Sequence, residues 1–204
     1  MSKGDAVLSS PNISNVRFTH AGFWVEDLDK MADFYQRVFK MHRSDHGKID
    51  AHGLRAELAF LTGDPEEHHQ LVFIAGKPRD LPFNVINQIS FRVGKLSDLR
   101  AYWHFLQAEP NASGIYAFSH GNAWSLYFHD PEGNRCEIYL DTPWYVEQPF
   151  RTELDLTLSD TEILERTRKE VAKYPSAKPL KLWQKEVADS LGLKDWAPSD
   201  LAED

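Results

Sequence analysis

The pattern of residues 19–38, THAGFWVEDLDKMADFYQRV, returns at residues 87–106 as NQISFRVGKLSDLRAYWHFL, at a constant offset of 68. Phe23 recurs as Phe91, Val25 as Val93, Leu28 as Leu96 and Met31 as Leu99, while Phe34 and Tyr35 answer to Tyr102 and Trp103. A repeat of this length constrains the fold more than any composition, because a unit that cannot bury its own apolar face needs its second copy. The first copy reads as a strand over Arg17 to Val25, then a helix capped by Asp27 with Leu28, Met31, Phe34, Tyr35, Val38 and Phe39 at helical spacing. Three short strands follow, around Met41 to Ser44, Arg55 to Thr62 and His69 to Ala75, separated by a loop at His46 to Gly53 and the turn GDPEE. The unit is therefore βαβββ. Two of them predict an α+β fold, with a cupped mixed sheet around a central site and the helices outside. The expected divisions are a flexible lead-in over 1–15, a first module over 16–77, a second over 84–147 and a C-terminal helical extension over 150–204.

The second copy ends in HGNAWSLYFHDPEGNRCEIYLDTPWY, from His120 to Tyr145, which reads as a hairpin turning at DPEGN. Strand alternation sets Glu137, Tyr139 and Asp141 on one face and Cys136, Ile138 and Leu140 on the other. A carboxylate in mid-strand between apolar neighbours is costly to bury unless a positive charge receives it, and only Arg135 is close in sequence. A metal ion is the natural candidate. The repeat strengthens it: His20 maps onto Gln88, and, if the loop lengths cancel, His69 maps onto Glu137, so polar residues interrupt equivalent strands.

With 204 residues, 42% of them hydrophobic, the chain can bury one good core. A formal charge of -8 argues against nucleic-acid and anionic-membrane surfaces, which need clustered Lys and Arg. No apolar run reaches the length of a membrane span or a signal peptide, and the single Cys136 permits no internal disulfide. A cytoplasmic protein is expected. Beyond Pro149, Ser159 can cap a helix striped by Ile163, Thr167, Val171 and Tyr174, and Pro179 opens a second one striped by Leu180, Trp183, Val187 and Leu191. Without a core of their own, these helices should dock on the body or on a partner subunit.

The expected metal ligands are His20, Gln88 and Glu137. Imidazole and carboxylate that leave positions open for substrate suit a non-heme Fe(II) oxygenase, and further oxygen ligands suit Mn(II), Ni(II) or Zn(II) lyases. Gln88 is neutral and a weak ligand for Fe(II), and a backbone hydrogen bond is its equal alternative. Of His68 and His69, which open HHQLVFI, spacing favours His69 facing inward with Leu71 and Phe73, whereas a slip of one residue would select His68 and Gln70. An inward histidine near a metal can act as acid or base. His120 lies in a loop placed to close over substrate, and Tyr127 could donate to a substrate oxygen or be a buried structural tyrosine. Cys136 points away from the site into packing, and His42, His46, His52, His104 and His129 are read as surface residues.

The spacing of His120, Leu126-Tyr127, Asp130-Pro131, Gly133 and Glu137 resembles the signature of type I extradiol ring-cleavage dioxygenases. These belong to the vicinal oxygen chelate superfamily, which also holds glyoxalase I and the fosfomycin- and bleomycin-resistance proteins. The paired βαβββ repeat is similar to that superfamily's fold, and the resemblance runs over residues 17 to 145, closest to short one-domain members. It implies iron ligation by His20 and Glu137, second-sphere acid/base and oxygen-stabilising roles for His69 and His120, and a hydrogen bond from Tyr127 to a catecholate oxygen. Gln88 departs from it, standing where those enzymes carry a second histidine ligand, although glutamine does ligate metal in glyoxalase-type members. The implied function is metal-dependent cleavage of a catechol-like aromatic by O2 in a homo-oligomer, with Fe(II) as the first metal. The alternatives are a glyoxalase-type lyase or isomerase on Mn(II), Ni(II) or Zn(II), and a non-catalytic protein that binds an aromatic ligand.

Overall fold

In the computed structural model residues 17–197 are described, apart from 52, 81, 85 and 194. The lead-in over 1–15 and His52 lie outside the described residues. Two compact units divide between Lys77 and Pro78.

The first unit runs β1 (Ala21–Val25), α1 (Leu28–Phe39), β2 (His42–Ala51), β3 (Leu54–Thr62) and β4 (Leu71–Ala75). Its sheet has the order β1-β4-β3-β2, with β1 parallel to β4 and the other pairs antiparallel. Helix α1 starts where the sequence predicts, because the Asp27 carboxylate accepts a hydrogen bond from the Lys30 N–H at 3.0 Å. Its buried stripe of Leu28, Met31, Phe34, Tyr35 and Val38 packs on the sheet, Tyr35 meeting Phe73 edge to face at 5.0 Å. The expected loop over 46–53 is instead mostly strand, since β2 runs on to Ala51 opposite β3. Residues 45–50 are exposed, so both faces meet water and no apolar alternation marks the strand. His20 and His69 were expected within strands. They stand just ahead of β1 and β4, where the Ala21 N–H donates to the Gln70 carbonyl at 3.1 Å.

The second unit repeats the plan with β5 (Ile89–Arg92), α2 (Leu96–Ala108), β6 (Ser113–Ser119), β7 (Ala123–His129) and β8 (Arg135–Asp141). The order β5-β8-β7-β6 reproduces that of the first sheet, with β5 parallel to β8. The turn from β7 to β8 is organised by Asp130, whose Oδ1 accepts from the N–H groups of Glu132 and Asn134, each at 2.9 Å. After it come β9 (Trp144–Tyr145), β10 (Thr152–Glu153), α3 (Asp160–Val171), β11 (Lys178–Pro179) and α4 (Leu180–Ser190). Strand β10 adds to the free edge of β6. The architecture is thus α+β, with two βαβββ repeats and a helical C-terminal segment.

That segment docks on the second unit. Ser159 and Glu162 close a capping box at the start of α3, and its Ile163, Thr167 and Val171 are buried. The Trp124 indole N–H donates to Thr167 Oγ1 at 2.8 Å, and Arg100 on α2 donates to the carbonyls of Leu156 at 3.0 Å and Leu158 at 2.6 Å. On α4, Trp183 stacks on Tyr145 at 5.1 Å. Leu191, predicted on the α4 stripe, is 67% exposed, because the helix ends at Ser190 and Ala188 takes the buried place.

Candidate active site

Three neighbouring strands of the second unit converge on one carboxylate. The register sets Tyr127 on β7 and Ser90 on β5 directly across from Glu137 on β8. The alternate residues Cys136 and Ile138 are fully buried. Glu137, 8% exposed, accepts at Oε1 from the Tyr127 hydroxyl at 2.6 Å, and at Oε2 from Ser90 Oγ and from Gln88 Nε2, both at 2.6 Å. The positive charge that burial of this carboxylate demanded is replaced by three neutral donors. Beyond Tyr127 the chain of contacts continues to His120, whose Nε2 lies 2.8 Å from the phenolic oxygen and whose Nδ1 lies 2.9 Å from the Phe150 carbonyl.

A carbonyl only accepts, so His120 Nδ1 carries a proton. Two arrangements then satisfy every remaining group. In one, His120 Nε2–H donates to Tyr127 and Tyr127 donates to the carboxylate; in the other, the Glu137 carboxyl donates to Tyr127 and Tyr127 donates to a bare Nε2. They differ by one proton shifted across the Tyr127 hydroxyl, so the chain can move a proton between Glu137 and His120. The C-terminal segment holds this arrangement, since Phe150 supplies the acceptor and Gln148 Nε2 donates to the His120 carbonyl at 2.8 Å. The groups open on a cavity of about 400 Å³ lined by Ser90, His120, Ser125, Tyr127, Glu137 and Tyr139.

Burial, then the Glu137 carboxylate, pushes the Tyr127 phenol well above the ordinary tyrosine value, so it stays a donor across the physiological range. Burial likewise raises Tyr102, with Asp98 adding to the shift, and Tyr139, with Asp141 adding. A phenol whose pKa is raised on folding stabilises the native state fully below the unfolded value of about 10, and that stability is lost as pH climbs through the folded value. The urea midpoint is therefore expected to fall from about pH 10 upward. Tyr102→Phe should flatten the decline; a slope unchanged in that variant would remove the buried phenol as its cause.

In the first unit, the rings of His20 and His69 lie 4.3 Å apart, and His69 also meets Phe60 edge to face at 5.2 Å. Phe60 pairs with Val72, whereas Leu71 and Phe73 pair with Leu61 and Ala59 on the side of α1. His69 thus lies with Phe60, not with Leu71 and Phe73 as spacing suggested, because β4 begins only at Leu71 and alternation does not govern the residues ahead of it. Burial first, then the neighbouring imidazoles of His20 and His68, lower the His69 pKa.

Of the residues singled out from the sequence, the second unit brings together Gln88, His120, Tyr127 and Glu137, and the first unit His20 and His69. Ser90 and the Phe150 carbonyl were not foreseen. Ser90 was within reach, because it stands two residues after Gln88 on the same strand face, in the place of Gly22 in the first copy.

The donor chemistry of the second unit suits a divalent cation in part. Among the described residues no three His, Cys, Asp or Glu side chains are grouped as a metal site requires. Glu137 is nevertheless an anionic oxygen donor on the cavity wall, and a half-turn of the Gln88 amide, which now directs its NH2 to Oε2, would present the carbonyl oxygen beside it. These two residues fit as oxygen ligands once a cation replaces the hydrogen bonds between them. His20 occupies in the first unit the position that Gln88 occupies in the second, ahead of the first strand of the repeat.

The chain is similar to several known proteins. The biphenyl-2,3-diol 1,2-dioxygenase 2 of Rhodococcus globerulus is 28% identical over 129 residues, 61% of this chain and 63% of that protein, so the chain spans under two thirds of its relative. A glyoxylase/bleomycin resistance protein/dioxygenase domain from Frankia sp. EAN1pec superposes with a TM-score of 0.51 at 21% identity, covering 64% of this chain and 94% of that one. The fosfomycin resistance protein FosX of Listeria monocytogenes, complexed with Mn(II) and sulfate, gives 0.47 at 20% identity, covering 64% and 94%. No helix among the described residues is long and apolar enough to cross a membrane. The family model matches residues 17–138, more than half of the chain, and the chain belongs to the Glyoxalase/Bleomycin resistance protein/Dioxygenase superfamily.

Proposed function

We propose that the chain is a metal-dependent enzyme that cleaves a catechol-like, vicinal dihydroxy aromatic with O2 in the extradiol manner. The observation that carries this reading is the continuous chain from Glu137 through Tyr127 to His120, opening on a cavity of a size for a small aromatic. A bound divalent cation, Fe(II) in the first place, would supply the Lewis-acid and redox chemistry that the side chains lack. Glu137 and Gln88 would hold it through oxygen in the second unit. The protein's own contribution is proton handling: Tyr127 presents a hydroxyl to a substrate oxygen, and His120 gives or takes the proton that crosses it. His69 in the first unit is the general base, its lowered pKa keeping the ring neutral and able to accept.

One observation favours a second reading. Both oxygens of Glu137 are already satisfied by neutral donors, as suits a cavity that binds an aromatic diol without metal. Protein stripped with a chelator, then reloaded with Fe(II) and mixed with biphenyl-2,3-diol, separates the two. Uptake of O2 in step with loss of the diol, abolished by the chelator and lost in Glu137→Gln, supports the enzyme. Diol binding that ignores the chelator, with no O2 consumed under Fe(II), Mn(II), Ni(II) or Zn(II), overturns it.

A further inference from the structure

Strands β2 and β3 slip register at a single point: Arg43 pairs with Leu61 and Asp45 with Phe60, leaving Ser44 as an extra residue whose hydroxyl donates to the Phe60 carbonyl at 3.3 Å. Regular alternation would set Asp45 across from Ala59, on the side of the sheet packed by α1. Arg43 is on that side, reaching Asp29 of α1 at 3.3 Å. The bulge turns Asp45 to the opposite face, that of Phe60, where a bulge can re-aim a side chain toward a site. There Asp45 Oδ2 lies 2.7 Å from His68 Nε2, and His68 Nδ1 lies 2.8 Å from His69 Nδ1.

The proton positions follow from what each atom can do. A carboxylate only accepts, so His68 Nε2 carries the proton it shares with Asp45. An imidazole that is neutral, as above the ordinary histidine pKa of about 6.5, holds one ring proton, and in that state His68 Nδ1 is left as a lone pair. The proton of the 2.8 Å contact therefore belongs to His69 Nδ1, and His69 Nε2 is bare. Histidine in water prefers the opposite tautomer, so this contact opposes an intrinsic bias.

We propose that Asp45 and His68 are positioning residues, carried to His69 by the β2 bulge, which fix the His69 ring as the Nδ1–H tautomer and leave Nε2 as its basic atom. Neither touches substrate. The proposal rests on the reading of His69 as general base, and it identifies which nitrogen accepts the proton. The indirect arrangement has the logic of an outer partner that orients a working imidazole, whose loss typically costs about 10-fold to 100-fold in activity.

The test is a histidine-ring ¹H–¹⁵N correlation spectrum of the full-length, metal-free protein at about pH 8.5, above the ordinary histidine pKa. His69→Gln assigns the signals. His69 should show the Nδ1–H pattern, Asp45→Ala should move it toward the Nε2–H pattern, and His68→Gln should do the same while the His120 signals stay fixed. Under turnover, Asp45→Ala should lower kcat about tenfold with KM held within about twofold, as expected when orientation of a base and not binding is lost. An Nε2–H pattern for His69 in the unaltered protein, or one indifferent to Asp45→Ala, overturns the proposal. Asp45 is mostly exposed, so its replacement leaves the fold intact. The spectrum is read without substrate, so a correct tautomer in a protein that turns over no diol refutes the dioxygenase and not the positioning.

Discussion

Gly121→Ala is expected to cost about 3 kcal/mol of stability, from left-handed backbone strain and overpacking together. Gly121 sits at φ +75°, and a Cβ there would stand 2.4 Å from Val146 Cγ1 and 3.2 Å from both Phe150 Cδ1 and Val171 Cγ2. Those three residues form a buried cluster within the C-terminal segment that closes over Gly121, so none can yield without disturbing that packing. Thr142 adds to the constraint by donating to the Gly121 carbonyl at 2.5 Å. Gly192 is the control: it has φ +73° with nothing within 4 Å of a Cβ, so Gly192→Ala reports the backbone term alone, about 1 kcal/mol. Urea unfolding followed by tryptophan fluorescence checks both. Equal losses would show that the Val146, Phe150 and Val171 cluster can relax. Because His120 precedes Gly121 and leans on the Phe150 carbonyl, the Gly121 variant should also lose activity out of proportion to its unfolded fraction.

The duplicated architecture was legible in the sequence because its signal is redundant. The caps at Asp27 and Ser159, the stripe of α1 and the turn at Asp130 are each local chemistry that the folded chain has no reason to override. The outer half of β2 was illegible for the opposite reason, since a strand wet on both faces is held by backbone pairing and leaves no alternation to read. The placement of His69 failed where the alternation rule was applied to residues ahead of the strand. At the site, Glu137, Tyr127 and His120 were readable from spacing within one hairpin. Ser90 was within reach only through its place two residues after Gln88, and the Phe150 carbonyl was not, because it is a backbone atom whose side chain says nothing of its use. The bulge that carries Asp45 to His68 depends on pairing across two strands, which no single segment encodes.

The contrast between Glu137→Gln and Glu137→Ala separates what the carboxylate does for the fold from what it does in the reaction. Three donors aim at it. A glutamine amide can still take them: its carbonyl oxygen accepts from Ser90 and Gln88, its NH2 donates to the Tyr127 oxygen, and Tyr127 turns its proton to His120 Nε2. Every polar group stays satisfied, so Glu137→Gln should unfold within about 1 kcal/mol of the unaltered protein. Alanine leaves the Tyr127 and Ser90 hydroxyls and the Gln88 amide without their acceptor beside a new void, a loss of about 3 kcal/mol. Turnover should not follow that ranking. The amide binds a cation poorly and cannot hold the first proton arrangement, in which Tyr127 donates to an anionic carboxylate, so both variants should lose at least about a hundredfold in kcat. A Glu137→Gln protein that retained turnover would show that the charge is dispensable, leaving Glu137 as an acceptor that organises Tyr127, Ser90 and Gln88. Full loss of turnover at near-native stability would place the anion itself in the chemistry.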